Sequence, residues 1–401
     1  METEHADDGA VLGQPLELPC GARLKNRIVK AAMSDSLGDG RGNPTCAQMR
    51  LYERWAEGGA ALSLIGEVQT DPRYPEKPGN LVLVPDADMA ALQRLAARGS
   101  AHGAKIWPQL GHAGALAHAP LSTPKGPSPL DVEGLRCGGM TAEEIAALPD
   151  AYARAAAQAR QAGFGGVEIH AGHGFLFSQF LSPLFNRRGD GYGGPVAARF
   201  RVIGETLGAV RRAVGPAFPV AVKINATDRL AGGLGPDEAL EVVRMLDRAS
   251  ADLIDISGGT YFPGAPASSE GSSASGPYFL DFARRAKAVT RVPLMLTGGI
   301  KTRAAAAMAV RSGAADAVGI ARALALDPSL AAAWLDGPGG DPAFPSFEAP
   351  PPGAMTAWYS MRLAAIGEES ERQFDRPPAA AMAEYDARDA ARCAGWLARF
   401  A

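Results

Sequence analysis

Residues 163–176 read Gly-Phe-Gly-Gly-Val-Glu-Ile-His-Ala-Gly-His-Gly-Phe-Leu and set His170 and His173 where a short apolar run ends. Gly166 to Ala171 has the length and composition of a buried parallel strand. Both histidines should therefore emerge at its carboxyl end, where parallel barrels and sheets keep their ligand sites. Two neutral imidazoles converging there can grip one carbonyl oxygen with N–H donors and stabilise negative charge developing on it. The competing chemistries are a metal site and plain structural histidines. The chain has six histidines and no third ligand at a motif-like spacing near this pair, so no metal is expected.

Other run ends carry complementary groups. Thr297-Gly298-Gly299-Ile300 and Gly319-Ile320-Ala321-Arg322 follow the last two apolar runs. In barrels the loops after strands seven and eight often bind phosphate through backbone N–H groups, helix N-termini and a cation. Arg322 would be the clamp there; the alternative is that Gly298 and Gly299 only permit a tight turn. Ala32-Met33-Ser34, Gln109 and Lys223 stand at the ends of runs one, three and five. Small residues allow close approach, an amide offers donor and acceptor, and a lysine stabilises negative charge, which suits the flat polar ring of flavin mononucleotide (FMN). Equally, Gln109 and Lys223 can be satisfied inside a barrel by carboxylates.

Eight runs can position these groups: Arg27 to Met33, Ala61 to Val68, Lys105 to Leu110, Gly166 to Ala171, Val220 to Asn225, Leu253 to Ser257, Leu294 to Thr297 and Ala317 to Ile320. Each is followed by a polar or Gly/Pro-rich loop and then a helical stretch rich in Ala, Leu and Arg. That alternation predicts an α/β fold, a (β/α)₈ TIM barrel, with a doubly wound open sheet as the alternative. Thr141 to Glu144 fits a capping box, Pro236-Asp237-Glu238 a helical first turn, and Thr302 precedes an alanine-rich helix. Asp71 to Asp86 and Ala115 to Met140 are long loops at the catalytic face, expected to shape the pocket. Residues 1–335 are expected to form the FMN-binding barrel. Residues 336–401, Pro/Gly-rich to Gly353 and then helical over Thr356 to Ile366 and Ala379 to Leu397, read as an extension packed on it.

Composition narrows the partners. Of 401 residues 47% are hydrophobic, enough for a large core, and 40 basic against 43 acidic residues give a net charge of −3. No basic block interleaves with aromatics, so no nucleic-acid partner is expected. The first thirty residues carry acids and no long apolar run, and no stretch is long enough to span a bilayer, which predicts a cytoplasmic protein with no membrane partner. Cys20, Cys46, Cys137 and Cys393 show no C-x-x-C spacing and read as reduced thiols.

Several long segments together resemble the Old Yellow Enzyme family of FMN-dependent NAD(P)H:flavin oxidoreductases. They are Leu24 to Val29, Lys105 to Gly114, Gly163 to Leu176 continued by Gln179 to Pro183 and Asn186 to Gly194, and the Gly298 and Arg322 loops, in family order from about residue 12 to about 335. The resemblance implies FMN as cofactor, NADH or NADPH as hydride donor, and a homodimer or homotetramer. It places the flavin ring against Ala31, Ala32, Met33 and Ser34, the backbone near Val68, and Gln109. Lys223 stands where the family usually has arginine, and Gly299, Ala321 and Arg322 fall in the phosphate loops. His170 and His173 would bind the substrate carbonyl. Three departures matter: Phe175 replaces the usual proton-donor tyrosine, Ser34 the residue that tunes the flavin, and Ser36 an aromatic substrate contact.

The leading expectation is reduction of the C=C bond of an α,β-unsaturated carbonyl compound by ping-pong hydride transfer, with the second proton from water, Ser36 or Tyr261. Phe175 favours an alternative, an isomerase or desaturase of such compounds. A third reading, an aldolase or isomerase of phosphorylated sugars with Lys223 as Schiff-base lysine, leaves Gln109 and the histidine pair unexplained.

Overall fold

The computed structural model describes residues 2–263, 265, 276–337 and 339–401. The eight expected runs form parallel strands: β1 (Ile28–Ser34), β2 (Leu62–Gln69), β3 (Lys105–Gly111), β4 (Val167–Ala171), β5 (Val220–Asn225), β6 (Leu253–Ser257), β7 (Leu294–Thr297) and β8 (Ala317–Ile320). Each pairs with the next, and β8 pairs with β1 at Gly319 and Val29, so the sheet closes into a TIM barrel rather than an open sheet. The Ala142–Gln161 helix starts on the expected capping box, with Thr141 and Glu144 satisfying each other's backbone N–H. Thr302 caps the Arg303–Arg311 helix by accepting from the Ala305 N–H.

The barrel interior has two storeys, set by the period of two along each strand. Below, Val29, Leu62, Leu64, Trp107, Ala221, Leu253, Met295 and Ala317 form an apolar cluster. Leu16, Leu18 and Leu24 join it from a short antiparallel pair, Leu16–Glu17 with Arg23–Leu24, that plugs the floor. The indole of Trp107 fills so much of this space that a Cβ at Gly166 would lie 2.6 Å from its ring. Two residues further along the same faces the chemistry turns polar: Trp107 gives way to Gln109, Ala221 to Lys223, Leu253 to Asp255 and Met295 to Thr297, all buried.

Some local structure departs from expectation. The Asp71 to Asp86 and Ala115 to Met140 segments are not plain loops: Leu81–Val82 pairs with β2, and Lys125–Gly126, Leu130–Val132 and Leu135–Gly139 form a small sheet. These strands are too short to show a period. A helix over Glu2–Gly13, with little apolar patterning of its own, docks on the Arg303–Arg311 and Leu330–Asp336 helices. Beyond Asp336 come the Ala354–Gly367 and Pro378–Phe400 helices. The second reaches the loops after β1 and β2: Arg392 donates to the Ser36 carbonyl at 2.6 Å, Trp396 Nε1 to the Pro72 carbonyl at 3.1 Å and Arg399 to the Asp86 carbonyl at 2.8 Å.

Candidate active site

His170 is on the last turn of pleat of β4 and points into the mouth of the barrel. His173 follows in a tight turn at φ 58°, a left-handed conformation uncommon for a side-chain-bearing residue. Asn225 at the end of β5 holds that turn, accepting the His173 N–H at 2.9 Å and donating to Asp228 and the Gly259 carbonyl. Gln179 ties the same turn to the loop after β3, donating to the Ala113 and Gly174 carbonyls and accepting the Ala115 N–H. The two imidazoles thus lie edge to face with ring centres 5.3 Å apart.

His170 Nε2 is 3.3 Å from His173 Nδ1, and His173 Nε2 is 2.9 Å from Ser257 Oγ at the end of β6. On its other side His170 Nδ1 lies 2.5 Å from Glu67 Oε1. That approach is close but oblique, and Nδ1 has no aligned hydrogen-bond partner. Burial, then the charge of Lys223, pushes both imidazoles well below the usual histidine value, so both are neutral at physiological pH.

Beside the histidines, with Lys223 in register with His170 on the next strand, lies a charged layer. Lys223 Nζ donates to Asp255 Oδ2 at 2.7 Å, Thr297 Oγ1 donates to Asp255 Oδ1 at 2.6 Å, and Gln109 Nε2 donates to Glu168 Oε1 at 2.6 Å. Burial works against the charge of Lys223, but Asp255 and Glu168 outweigh it and hold its pKa above the ordinary lysine value. Burial and the neighbouring Asp255 charge raise Glu168 to about 8 against the pull of Lys223. Glu67 also rises to about 8, by burial opposed by Lys223. Gln109 and Lys223 are therefore both anchored by buried carboxyls, the alternative their residue types left open, while remaining at the upper rim of the barrel. Glu67, Glu168, Asp255, Thr297 and Ser257 were not singled out in the sequence. A signal existed for three of them, since Glu67, Glu168 and Asp255 are acids inside apolar strands.

The strand-1 end presents Ala31, Ala32, Met33 and Ser34, the last donating to Glu76 Oε2 at 2.7 Å. Val68 is fully buried in β2. Ser36 is buried, and its hydroxyl lies 3.2 Å from Asp389 of the C-terminal helix. Phe175 is buried against Tyr74, Ala113 and Ala117, with its ring 4.9 Å from that of His170. Tyr261 is 62% exposed and sits 5.9 Å, ring to ring, from both His173 and Phe175.

Across the mouth, Gly298 and Gly299 have φ of 115° and 77°, and a Cβ on Gly299 would come within 2.3 Å of the Gly276 carbonyl. Ala321 precedes the short Arg322–Leu326 helix. Arg322 has no acidic partner among the described residues, and its guanidinium lies 5.8 Å from the Tyr359 ring centre. These features fit FMN: a lane of small residues along β1, an amide and a cation at the rim, and a glycine turn with Arg322 beside it where a phosphate would end.

A family model described as the NADH:flavin oxidoreductase / NADH oxidase family matches residues 12–334. An NADH-dependent flavin oxidoreductase of Hypocrea jecorina is 36% identical over 351 residues, spanning 79% of this chain and 86% of the relative. An NADPH dehydrogenase of Bacillus velezensis is 32% identical over 325 residues, spanning 77% of this chain and 89% of the relative. Among solved structures, a 2-naphthoyl-CoA reductase complexed with 2-naphthoyl-CoA is 28% identical with a TM-score of 0.76; the match covers 81% of this chain and 52% of that one. An old yellow enzyme homologue from Zymomonas mobilis, 24% identical with a TM-score of 0.70 and coverage of 80% and 90%, shares the fold.

Proposed function

The chain belongs to the NADH:flavin oxidoreductase / NADH oxidase family, that of Old Yellow Enzyme, and from that premise we propose that this FMN-dependent NAD(P)H oxidoreductase reduces the activated C=C bond of an α,β-unsaturated carbonyl compound in a ping-pong cycle. The observation that carries the reading is the neutral histidine pair at the mouth, beside a buried cation and a lane of small residues. When bound, FMN accepts hydride from NADH or NADPH and gives it to an electron-poor carbon. The side chains proposed to hold it are Gln109, Lys223 and Arg322, with the backbone of Ala31 to Ser34, Val68, Gly298, Gly299 and Ala321.

The protein's own part is electrostatic. His170 and His173 form the carbonyl site: with both rings neutral, His170 holds His173 through the contact between them and a His173 N–H donates to the carbonyl oxygen, withdrawing electron density. Lys223, fixed by Asp255, would supply positive charge at the rim to a reduced, anionic flavin held there. The apolar wall of Phe175, Tyr74 and Ala113 keeps water from one side of the substrate.

Protonation of the α-carbon falls to Tyr261. Tyr261 is 62% exposed, with its ring against those of His173 and Phe175; what burial it has, then the carboxyls of Glu76 and Glu67, raises its pKa above the usual tyrosine value, so it remains an acid. Phe175, with no acidic proton, favours a second reading, isomerisation or desaturation of the same compounds; Tyr261 next to it favours net reduction. Anaerobic reaction of the reduced enzyme with cyclohexenone separates the two. Reduction gives a product heavier by one H₂ with reoxidised flavin, and isomerisation gives unchanged mass. Flavin that stays reduced with a panel of enones overturns the proposal.

A further inference from the structure

Glu67 is a buried acid that the cofactor contacts do not use. Leu62 and Leu64 line the inside of β2, so in an unbroken strand Glu67 would face outward. The register of β2 against β3 shifts between Ile65 and Val68. Such an irregularity re-aims a side chain, and here it turns Glu67 into the barrel, 5% exposed, with Oε1 against His170. Glu67, His170, His173 and Ser257 consequently stand in file, each imidazole with one neighbour at each ring nitrogen. A neutral imidazole carries one proton, so its two nitrogens take opposite roles. In a file of two such rings, the choice made at one end propagates to the other.

We propose that Glu67 is a positioning residue that sets the hydrogen-bond polarity of the histidine pair, and so decides whether the site offers a carbonyl oxygen a donor or a lone pair. With Glu67 as an acid, its O–H donates to His170 Nδ1, His170 Nε2–H donates to His173 Nδ1, and His173 Nε2–H is free to leave Ser257 for a ligand oxygen. With Glu67 as a carboxylate, His170 Nδ1–H donates to it and His173 Nδ1–H donates to His170 Nε2. His173 Nε2 is then a lone pair that accepts from the Ser257 hydroxyl. Between the two forms one proton goes to solvent and both rings exchange tautomer; neither gains charge.

Glu67 titrates in the working range, at about 8. The groups facing it are Lys223 from β5, Glu168 and His170 from β4, Glu76 from the loop after β2, Tyr152 from the Ala142–Gln161 helix, and Tyr261. Lys223 favours its carboxylate, whereas burial and the neighbouring acids favour the neutral form. The Glu67–His170 contact is already within hydrogen-bond distance at 2.5 Å and needs only a change of angle to align.

The polarity needs no substrate; only its effect on binding rests on the carbonyl reading above. The test is ¹⁵N NMR of histidine-labelled, FMN-loaded protein from about pH 6 to about pH 10, beside Glu67→Gln, whose amide N–H donates to Nδ1 at every pH and mimics the acid. In the wild type two histidines should exchange Nδ1–H and Nε2–H character with a common midpoint, and in the variant they should stay Nε2–H. Cyclohexenone binding to the oxidised protein, followed by the flavin spectrum, should weaken about tenfold across that midpoint in the wild type, the loss of one hydrogen bond, and stay flat in the variant. Wild-type histidines that keep one tautomer throughout, or that exchange identically in Glu67→Gln, overturn the proposal. The wild-type titration decides alone if the variant fails to load FMN. Tautomers that exchange while enone affinity stays flat leave the polarity standing and remove the carbonyl assignment instead.

Discussion

Replacing Asp255 with leucine should destabilise the barrel far more than replacing it together with Lys223. Asp255 is fully buried, Lys223 is 1% exposed, and they meet at 2.7 Å, with Thr297 on the second carboxylate oxygen at 2.6 Å. Asp255→Leu leaves a desolvated ammonium without its main counter-charge, a loss of about 3–5 kcal/mol, whereas an apolar pair of similar volume is often nearly neutral. Asp255→Leu with Lys223→Met should therefore recover most of the loss. Urea unfolding of FMN-free protein, followed by tryptophan fluorescence and by far-ultraviolet circular dichroism, measures this without a contribution from cofactor affinity. The sign with pH is also set. With Asp255 gone, burial dominates Lys223 and its pKa falls below the unfolded value of about 10.4. The penalty is then full below that fallen pKa and shrinks as pH rises toward the unfolded value. A single-variant loss under about 1 kcal/mol, the range of exposed pairs, or a double variant as unstable as the single, would refute the view that the pair is a desolvated charge couple.

His170→Ala with His173→Ala should leave FMN bound but weaken phenolic ligands, which mimic an enolate, by about tenfold or more, read from the charge-transfer band; unchanged affinity would place the pair outside the pocket. Arg322→Ala should lose about 1.5–3 kcal/mol of FMN binding, one charge-assisted hydrogen bond, and full flavin retention after dialysis would put the phosphate elsewhere. Tyr261→Phe should slow reoxidation of the reduced flavin by cyclohexenone roughly 10²–10⁴-fold and leave reduction by NAD(P)H unaltered in stopped flow. If Tyr261→Phe is silent while Phe175→Tyr accelerates reoxidation, water is the native acid. Gly166→Ala should cost about 1–3 kcal/mol through overpacking, because its Cβ would press on the Trp107 ring at 2.6 Å; a wild-type melting temperature would contradict the packing described.

The barrel was legible because all eight strands are short apolar runs separated by helical stretches, and a closed parallel sheet is the natural end of that pattern. His170, His173, Gln109, Lys223 and Arg322 were legible as polar groups at strand ends. What faces them was not. Asp255 and Glu168 looked like interruptions of apolar strands, and only the closed barrel shows that they sit beside Lys223 and Gln109, in register on the neighbouring strands. The inward turn of Glu67 depends on a register shift against β3, which a period-of-two reading of β2 cannot contain. The partners of Ser36, Asp389 and Arg392, were not legible either, because they lie more than 350 residues away in the chain; local patterning carries no record of such a contact.

The two-storey barrel has a consequence for how this chain can be altered by selection. Cohesion resides in the lower cluster around Trp107 and in the floor plug of Leu16, Leu18 and Leu24, while reactivity resides a single pleat higher and in the loops. A random library spread over the whole interior would lose most members to collapse. One confined to the rim positions and the neighbouring Tyr261 segment samples new substrate preferences on a foundation that stays put, and the Lys223–Asp255 couple marks the boundary between the two zones.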